Sequence, residues 1–324
     1  MKICCVGWTG PSLDEIMSGV LPYDPGALFL ETGNGSSCSE ARWYGTNHHR
    51  RKISEPGQIP DLANRHDVVL LDTYYFSAGH RDDLYSYFPD GSDLLLRPEL
   101  DDVKAFKVLC ETEATAGPAN LKFYREAARR CDAVLTFSAE FKAWCDAEKI
   151  PCHLDVVGIS PIFVPGSRYR DIDVIYSGSR TREGYRGKLA AVLDGYGKRR
   201  HVEVIGTVPL PRYMEFLQRT KIVLCTMSCA SGEQLPYGPK HKGFKALLSG
   251  CVPLEERWPD GPEHLQTWAE KAVFDSPEQI PDVCEMLLKD PAKRAEIVSA
   301  GSKRVLENYL YHHVFGRAFK ALGL

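Results

Sequence analysis

Two groups of residues in this chain carry side chains suited to chemistry, and each follows a short apolar run. The first is Ser177-Gly178-Ser179-Arg180-Thr181-Arg182, with Arg186 close behind. A bare glycine lets a ligand approach the backbone, and free amides beside guanidinium groups hold a diphosphate. Taken alone, one glycine among scattered arginines reads equally well as an exposed basic loop. The second group is Asp72, His80, Glu111 and Glu113. Histidine titrates near neutrality, so His80 would serve as a base or polarise a hydroxyl. The competing reading is a loop or helix-start residue facing water. Glu111 and Glu113 fall on opposite faces if their strand continues, so only one would meet a ligand. Otherwise the pair would cap the helix that follows.

The elements that must position these residues alternate in type. In the first half, apolar runs at 2–7, 27–31, 67–71, 106–110 and 133–137 read as strands. Residues 122–131 and 139–149 read as helices, with the Ser138 hydroxyl as N-cap of the second. Pro151, Pro161 and Pro165 with Gly158 and Gly166 then interrupt the rhythm, which marks a domain junction. Strands follow at 173–176, 202–205, 222–225 and 252–254. Helices are expected at 186–193, 210–218, 242–248, 277–289 and 292–308, with an amphipathic segment at 311–322. Alternating strands and helices predict an α/β protein with parallel sheets, in two Rossmann-like halves. Ligands in such sheets bind beyond the carboxyl ends of the strands, which is where both residue groups fall.

Length and composition fit this plan. The chain has 324 residues, 44% hydrophobic and 26% charged, enough for two domains of roughly 100–200 residues each. A net charge of −3 gives no global field for nucleic acid or an anionic membrane. Basic clusters at His48-His49-Arg50-Arg51-Lys52, Arg129-Arg130 and Lys198-Arg199-Arg200-His201 are solvated faces or loops on the plainer reading, and phosphate contacts on the functional one. The 11 cysteines form no Cys-x-x-Cys pair, and Cys4, Cys5, Cys110, Cys225 and Cys251 lie in apolar runs, as free thiols of a cytosolic protein do. The opening residues read as a first strand, not a signal peptide, and Asn34-Gly35-Ser36 as a turn. No run reaches the ~18 apolar residues of a membrane helix. Gly7-Trp8-Thr9-Gly10 lacks the glycine spacing of a dinucleotide site, which argues against a dehydrogenase.

Several segments then resemble one family in order. Gly158-Ile159-Ser160-Pro161-Ile162-Phe163-Val164-Pro165 is similar to the interdomain segment of group 1 glycosyltransferases with the GT-B fold. Asp173-Val174-Ile175-Tyr176-Ser177-Gly178-Ser179 with Arg186 resembles the first phosphate loop of the branch that includes the CgeB-type proteins. Lys242-Gly243-Phe244-Lys245-Ala246-Leu247-Leu248-Ser249-Gly250-Cys251-Val252-Pro253-Leu254 resembles the donor helix and its following strand. The likeness covers most of residues 131–324 and is weak before that.

The resemblance implies two Rossmann-like domains facing across a cleft: an acceptor-side domain at 1–160, a donor domain at 166–308, and a segment at 309–324 returning to the first. It implies transfer of a sugar from a UDP- or GDP-linked donor to the hydroxyl of a glycan, a small molecule or a nucleic acid, with no cofactor and no metal, retaining as is usual for the group. Ser177, Gly178, Ser179, Arg180 and Arg186 would hold the diphosphate, helped by Lys242 or Lys245. His80 and Glu113 would orient the acceptor. The chain departs from the family where two glutamates eight residues apart are usual: those positions are Tyr237 and Lys245. An ammonium accepts no hydroxyl proton, so the ribose contact would pass to Glu233, Glu255 or Glu256. Loss of both glutamates also fits a binding or scaffold protein that keeps the fold.

Overall fold

The structure, a computed structural model, describes residues 1–7, 19–31, 50–52, 58–72, 101–111, 118–155, 158–166, 169–178, 184–206, 208, 210–226, 241–257 and 272–324. The chain forms two units. Met1–Ser160 and Tyr311–Leu324 make the first, and Pro161–Leu310 the second.

The first unit is built on β1 (Ile3–Gly7), β2 (Leu28–Glu31), β3 (Arg50–Lys52), β4 (Val68–Asp72), β5 (Phe106–Glu111), β6 (Ala133–Thr136) and β7 (Cys152–Leu154). They lie in the order β3-β2-β1-β4-β5-β6-β7, every pair parallel. The central strands are apolar on both faces because helices cover both. Cys4 and Val6 pack into one layer with Leu71 and Phe141, while Ile3 and Cys5 pack into the other with Val314 and Phe315. Its described helices include α1 (Gln58–Ala63), α2 (Pro118–Arg129) and α3 (Ala139–Ala147). Helix α3 starts where expected: the Ser138 hydroxyl accepts from the Phe141 amide at 3.2 Å. Helix α2 starts four residues before the reading from sequence, with proline at its first position, where no amide is needed.

Strand β3 falls within the basic cluster at 48–52. It pairs with Phe29–Glu31 of β2 at the sheet edge, where backbone pairing needs no apolar side chains and charge discourages further strand addition. It and β7 escaped the sequence pattern because three residues carry too little periodicity.

The second unit contains β8 (Ile172–Ser177), α4 (Gly184–Tyr196), β9 (Val202–Ile205), α5 (Leu210–Arg219), β10 (Thr220–Cys225), α6 (His241–Leu248), β11 (Val252–Glu256), β12 (Val273–Phe274), α7 (Ile280–Lys289) and α8 (Pro291–Asn308). Its sheet runs β12-β11-β10-β8-β9, again all parallel. On one face Val174, Tyr176, Ile222, Leu224, Val252 and Leu254 pack against Leu189 and Leu193 of α4 and Leu287 of α7. Helix α6 ends in a left-handed turn: Gly250, at φ +79°, donates to the Leu247 carbonyl at 2.9 Å, and Cys251 to Ala246 at 2.8 Å. The Arg170 guanidinium fastens this end, donating to Ser249 O at 2.6 Å, Leu217 O at 3.1 Å and Thr220 O. One side chain thereby closes the C-terminal turns after α5 and α6.

The last helix, α9 (Tyr311–Leu322), belongs to the first unit. Tyr311, Val314, Phe315, Ala318 and Phe319 form its buried stripe, at the spacing of one helix face. Arg317 grips Asp155 through two bonds of 2.7 and 2.9 Å. The Tyr311 amide donates to Ile159 O at 3.1 Å. Gly158 permits this approach, since a Cβ there would lie 2.7 Å from Tyr311 Cδ1. Among the described residues, no helix is long and apolar enough to cross a membrane.

Candidate active site at the carboxyl ends of the second sheet

In the second sheet the chain leaves β8 for β9 on one side and returns to β10 on the other. The crevice beyond the carboxyl ends of β8 and β10 is therefore the topological switch point, where ligands of open α/β sheets bind. Ser177 ends β8, and Gly178 follows with its amide bonded to Ile205 O at 2.9 Å. A Cβ on Gly178 would lie 2.7 Å from the Tyr176 hydroxyl, so the buried phenol fills the space a side chain would take. Above it the backbone presents no side chain of its own.

Lys242 reaches this point from the first turn of α6. Its ammonium donates to Ser177 O and lies 5.8 Å from the centroid of the Tyr176 ring. Arg186 stands in the first turn of α4, half-buried. Neither helix has an acidic residue in its first turn. Helix N-termini carry partial positive charge and disfavour added cations. Two cations at two helix starts thus raise the local potential, as suits an anionic ligand.

Two glutamates end β11. The odd residues of this strand share a face with Val223 and Cys225, and the even ones with Leu224. Glu255, only 7% exposed, has its carboxyl pushed up to about 7 by burial. Cys225 lies between opposing influences: burial and the Glu255 charge raise its thiol, and Lys242 opposes them. Glu256 occupies the other face, where burial first, and then this carboxylate, push the Tyr185 phenol of α4 upward. Glu255 and Glu256 entered the reading from sequence only as replacements for the missing family glutamates. Their strand end was the available signal; their burial was not legible.

The residues expected to do chemistry separate as follows. Ser177, Gly178 and Lys242 come together, and Arg186 begins the adjoining helix. Lys245 lies one turn beyond Lys242 with its ammonium 5.2 Å from the Phe163 ring centroid, so it packs on the 161–165 segment and does not simply face solvent. Glu111 is fully buried and accepts from the Thr136 hydroxyl, whose oxygen accepts the Ser138 amide at 3.1 Å. It braces the ends of β5 and β6. His80, Glu113, Ser179, Arg180, Tyr237 and Glu233 lie outside the described residues.

Two of the three basic clusters carry matching acids. Arg129 meets Glu148 at 3.1 Å, Arg130 meets Asp101 at 2.9 Å, Arg200 forks Glu285 at 2.6 and 2.7 Å, and His201 meets Glu203 at 3.0 Å. Residues 198–201 also precede β9, at the opposite end of the sheet from Ser177. Among the described residues, no cluster of three or more His, Cys, Asp or Glu could hold a metal ion.

Residues 170–319 match a family model described as glycosyl transferase-like. No curated protein sequence matches the chain. Among solved structures, it is similar to Anabaena Alr3699/HepE in complex with UDP and glucose, with a TM-score of 0.64 and 12% identity over 100% of this chain and 99% of the other. It is also similar to T4 phage BGT in complex with its UDP-glucose substrate, with a TM-score of 0.61 and 12% identity over 100% of both chains. A further similar structure is that of a DNA modifying enzyme, β-glucosyltransferase, with a TM-score of 0.61 and 12% identity, again over 100% of both chains. At such identity the likeness is one of fold. Two parallel sheets flanked by helices, matched end to end by these structures, give the chain the GT-B fold, with a glycosyl transferase-like segment over residues 170–319.

Proposed function

We propose that the chain is a glycosyltransferase that moves a sugar from a UDP-linked donor to an acceptor hydroxyl. The observation that carries this reading is the contact of Lys242 with Ser177 O beside the bare backbone of Gly178 at the switch point. The acceptor oxygen bonds to the anomeric carbon as the bond from that carbon to the diphosphate oxygen breaks. Negative charge develops on the leaving diphosphate, and Lys242 and Arg186 offset it where it forms. In a retaining course the acceptor proton passes to the leaving diphosphate, and no side-chain nucleophile is required. We take the reaction to be retaining and metal-independent, with Ser179 and Arg180 completing the phosphate loop, Tyr237 and Lys245 lining the donor site, and His80 and Glu113 orienting the acceptor. This reading places the protein in the cytoplasm and nearest the CgeB-type branch.

The similar structures hold UDP or UDP-glucose, which favours UDP over GDP here. The ion pairs within the basic clusters at Arg129-Arg130 and Arg200-His201 favour a glycan or small-molecule hydroxyl over a nucleic acid, whose backbone needs uncompensated cations. Calorimetry with UDP, GDP and their sugars tests the reading. UDP is expected to bind, and Lys242→Ala to weaken it about tenfold or more, the loss of one charge-assisted contact. Absence of binding to every nucleotide would favour a scaffold instead. Binding unaffected by Lys242→Ala would remove the site from the switch point.

A further inference from the structure

Two buried carboxylates of the first unit meet donors: Glu111 accepts from the Thr136 hydroxyl, and Asp155 from the Arg317 guanidinium. Glu255 departs from this pattern. It is 7% exposed, and among the described residues none donates to its carboxylate. A carboxylate takes hydrogen bonds only as an acceptor, and burial without them is costly. The register fixes where this acid stands. Leu224 pairs with Tyr176 on one side and with Leu254 on the other, and Cys225 pairs with Glu255. Ser177 is one residue beyond Tyr176, so Ser177, Cys225 and Glu255 form one row across β8, β10 and β11. Matched residues of parallel strands point to the same face. Two strand spacings, about 10 Å, separate the ends of the row. Lys242 marks one end through its bond to Ser177 O, and the Glu255 carboxylate marks the other. Helix α6, which carries Lys242, packs along both β10 and β11. The whole row lies within Pro161–Leu310. A diphosphate is drawn to the first end and repelled from the second. The part of a diphosphate ligand that suits the second end is its neutral, hydroxyl-bearing sugar.

We propose that Glu255 accepts the hydroxyls of a vicinal diol on the UDP-sugar donor and selects the donor by them. This rests on the transferase reading above. Two carboxylate oxygens match two adjacent O–H groups, and a charged acceptor makes each bond stronger than a neutral one does. A site built this way rejects an analogue that lacks a hydroxyl, because the buried acid is then left unpaired. The donor holds such a diol in two places, the ribose and the transferred sugar, and both offer the same chemistry.

Calorimetry on the full chain distinguishes the two sources, with UDP against 2′-deoxy-UDP for the ribose and UDP-glucose against UDP for the sugar. The wild type should favour the member bearing the diol in one of these pairs by about tenfold, as expected for a charge-assisted contact. Glu255→Gln keeps the shape and should shrink that preference to about threefold or less, and Glu255→Ala should lower it further. A part played only in folding would weaken both members of a pair equally. Ratios that stay at the wild-type value in both variants would therefore overturn the proposal, as would wild-type ratios near one in both pairs. With UDP still bound, either result removes the role of Glu255 alone. A wild type that binds no uridine nucleotide overturns the transferase reading, and this proposal with it.

Discussion

Replacing Glu255 by glutamine should stabilise this protein at high pH and leave it unchanged at low pH. Burial raises the Glu255 carboxyl from 4.5 to about 7, with no compensating cause. At about 1.4 kcal/mol per pH unit, the ionised form costs the fold about 3 kcal/mol. The sign follows from proton counting. Between pH 4.5 and 7 the folded chain keeps a proton that the unfolded chain has lost, so stability falls as pH rises through that window. Below it both states are protonated, and above it the full cost applies. Glutamine keeps the shape and cannot ionise. The assay is urea unfolding followed by circular dichroism at several pH values from 5 to 8. The variant should gain on the wild type steadily, to about 3 kcal/mol at the alkaline end. A difference that stays constant across the range would refute the burial argument. Groups perturbed in this way gather at functional sites, and Glu255 ends the strand beside β10, so the same two proteins should also differ in UDP binding by calorimetry.

Three further outcomes are expected. Gly178→Ala puts a methyl 2.7 Å from the Tyr176 hydroxyl, so it should lower stability by about 1–3 kcal/mol in thermal melts and weaken UDP binding. Gly250→Ala must hold φ +79° with a side chain and would bring its Cβ within 2.6 Å of Arg170 Nη2; a loss of at least about 2 kcal/mol is expected from urea midpoints. Phe315→Ala empties the layer between α9 and the first sheet, and should cost about 3–5 kcal/mol by the same measurement.

Much of the fold was legible because burial is written locally. The period-two and period-3.6 patterns placed the main strands and helices within a few residues, including Tyr311–Leu322 and Val202–Ile205 with their own bounds. Ser138 marked the start of α3 because capping depends on residues three apart. What escaped was short or polar. Arg50–Lys52, Cys152–Leu154 and Val273–Phe274 are strands only because a neighbour supplies hydrogen-bond partners. The candidate site was partly legible: the strand-end rule pointed to Ser177 and Gly178, and the resemblance to a donor helix pointed to Lys242.

The sequence by itself determined an α/β chain in two halves, a glycine-bearing turn after one strand and a lysine-bearing helix before another. Only the tertiary structure decided which of these meet. Lys242 bonds Ser177 across 65 residues because strand order puts β8 beside β10. Arg200 finds Glu285 across 85 residues, which sets an ion pair inside a basic cluster. Lys245 turned to Phe163, and Glu255 became a buried acid. Periodicity records which face of an element is apolar. Partnership depends on how elements are ordered and how deeply they are covered, which no local pattern carries.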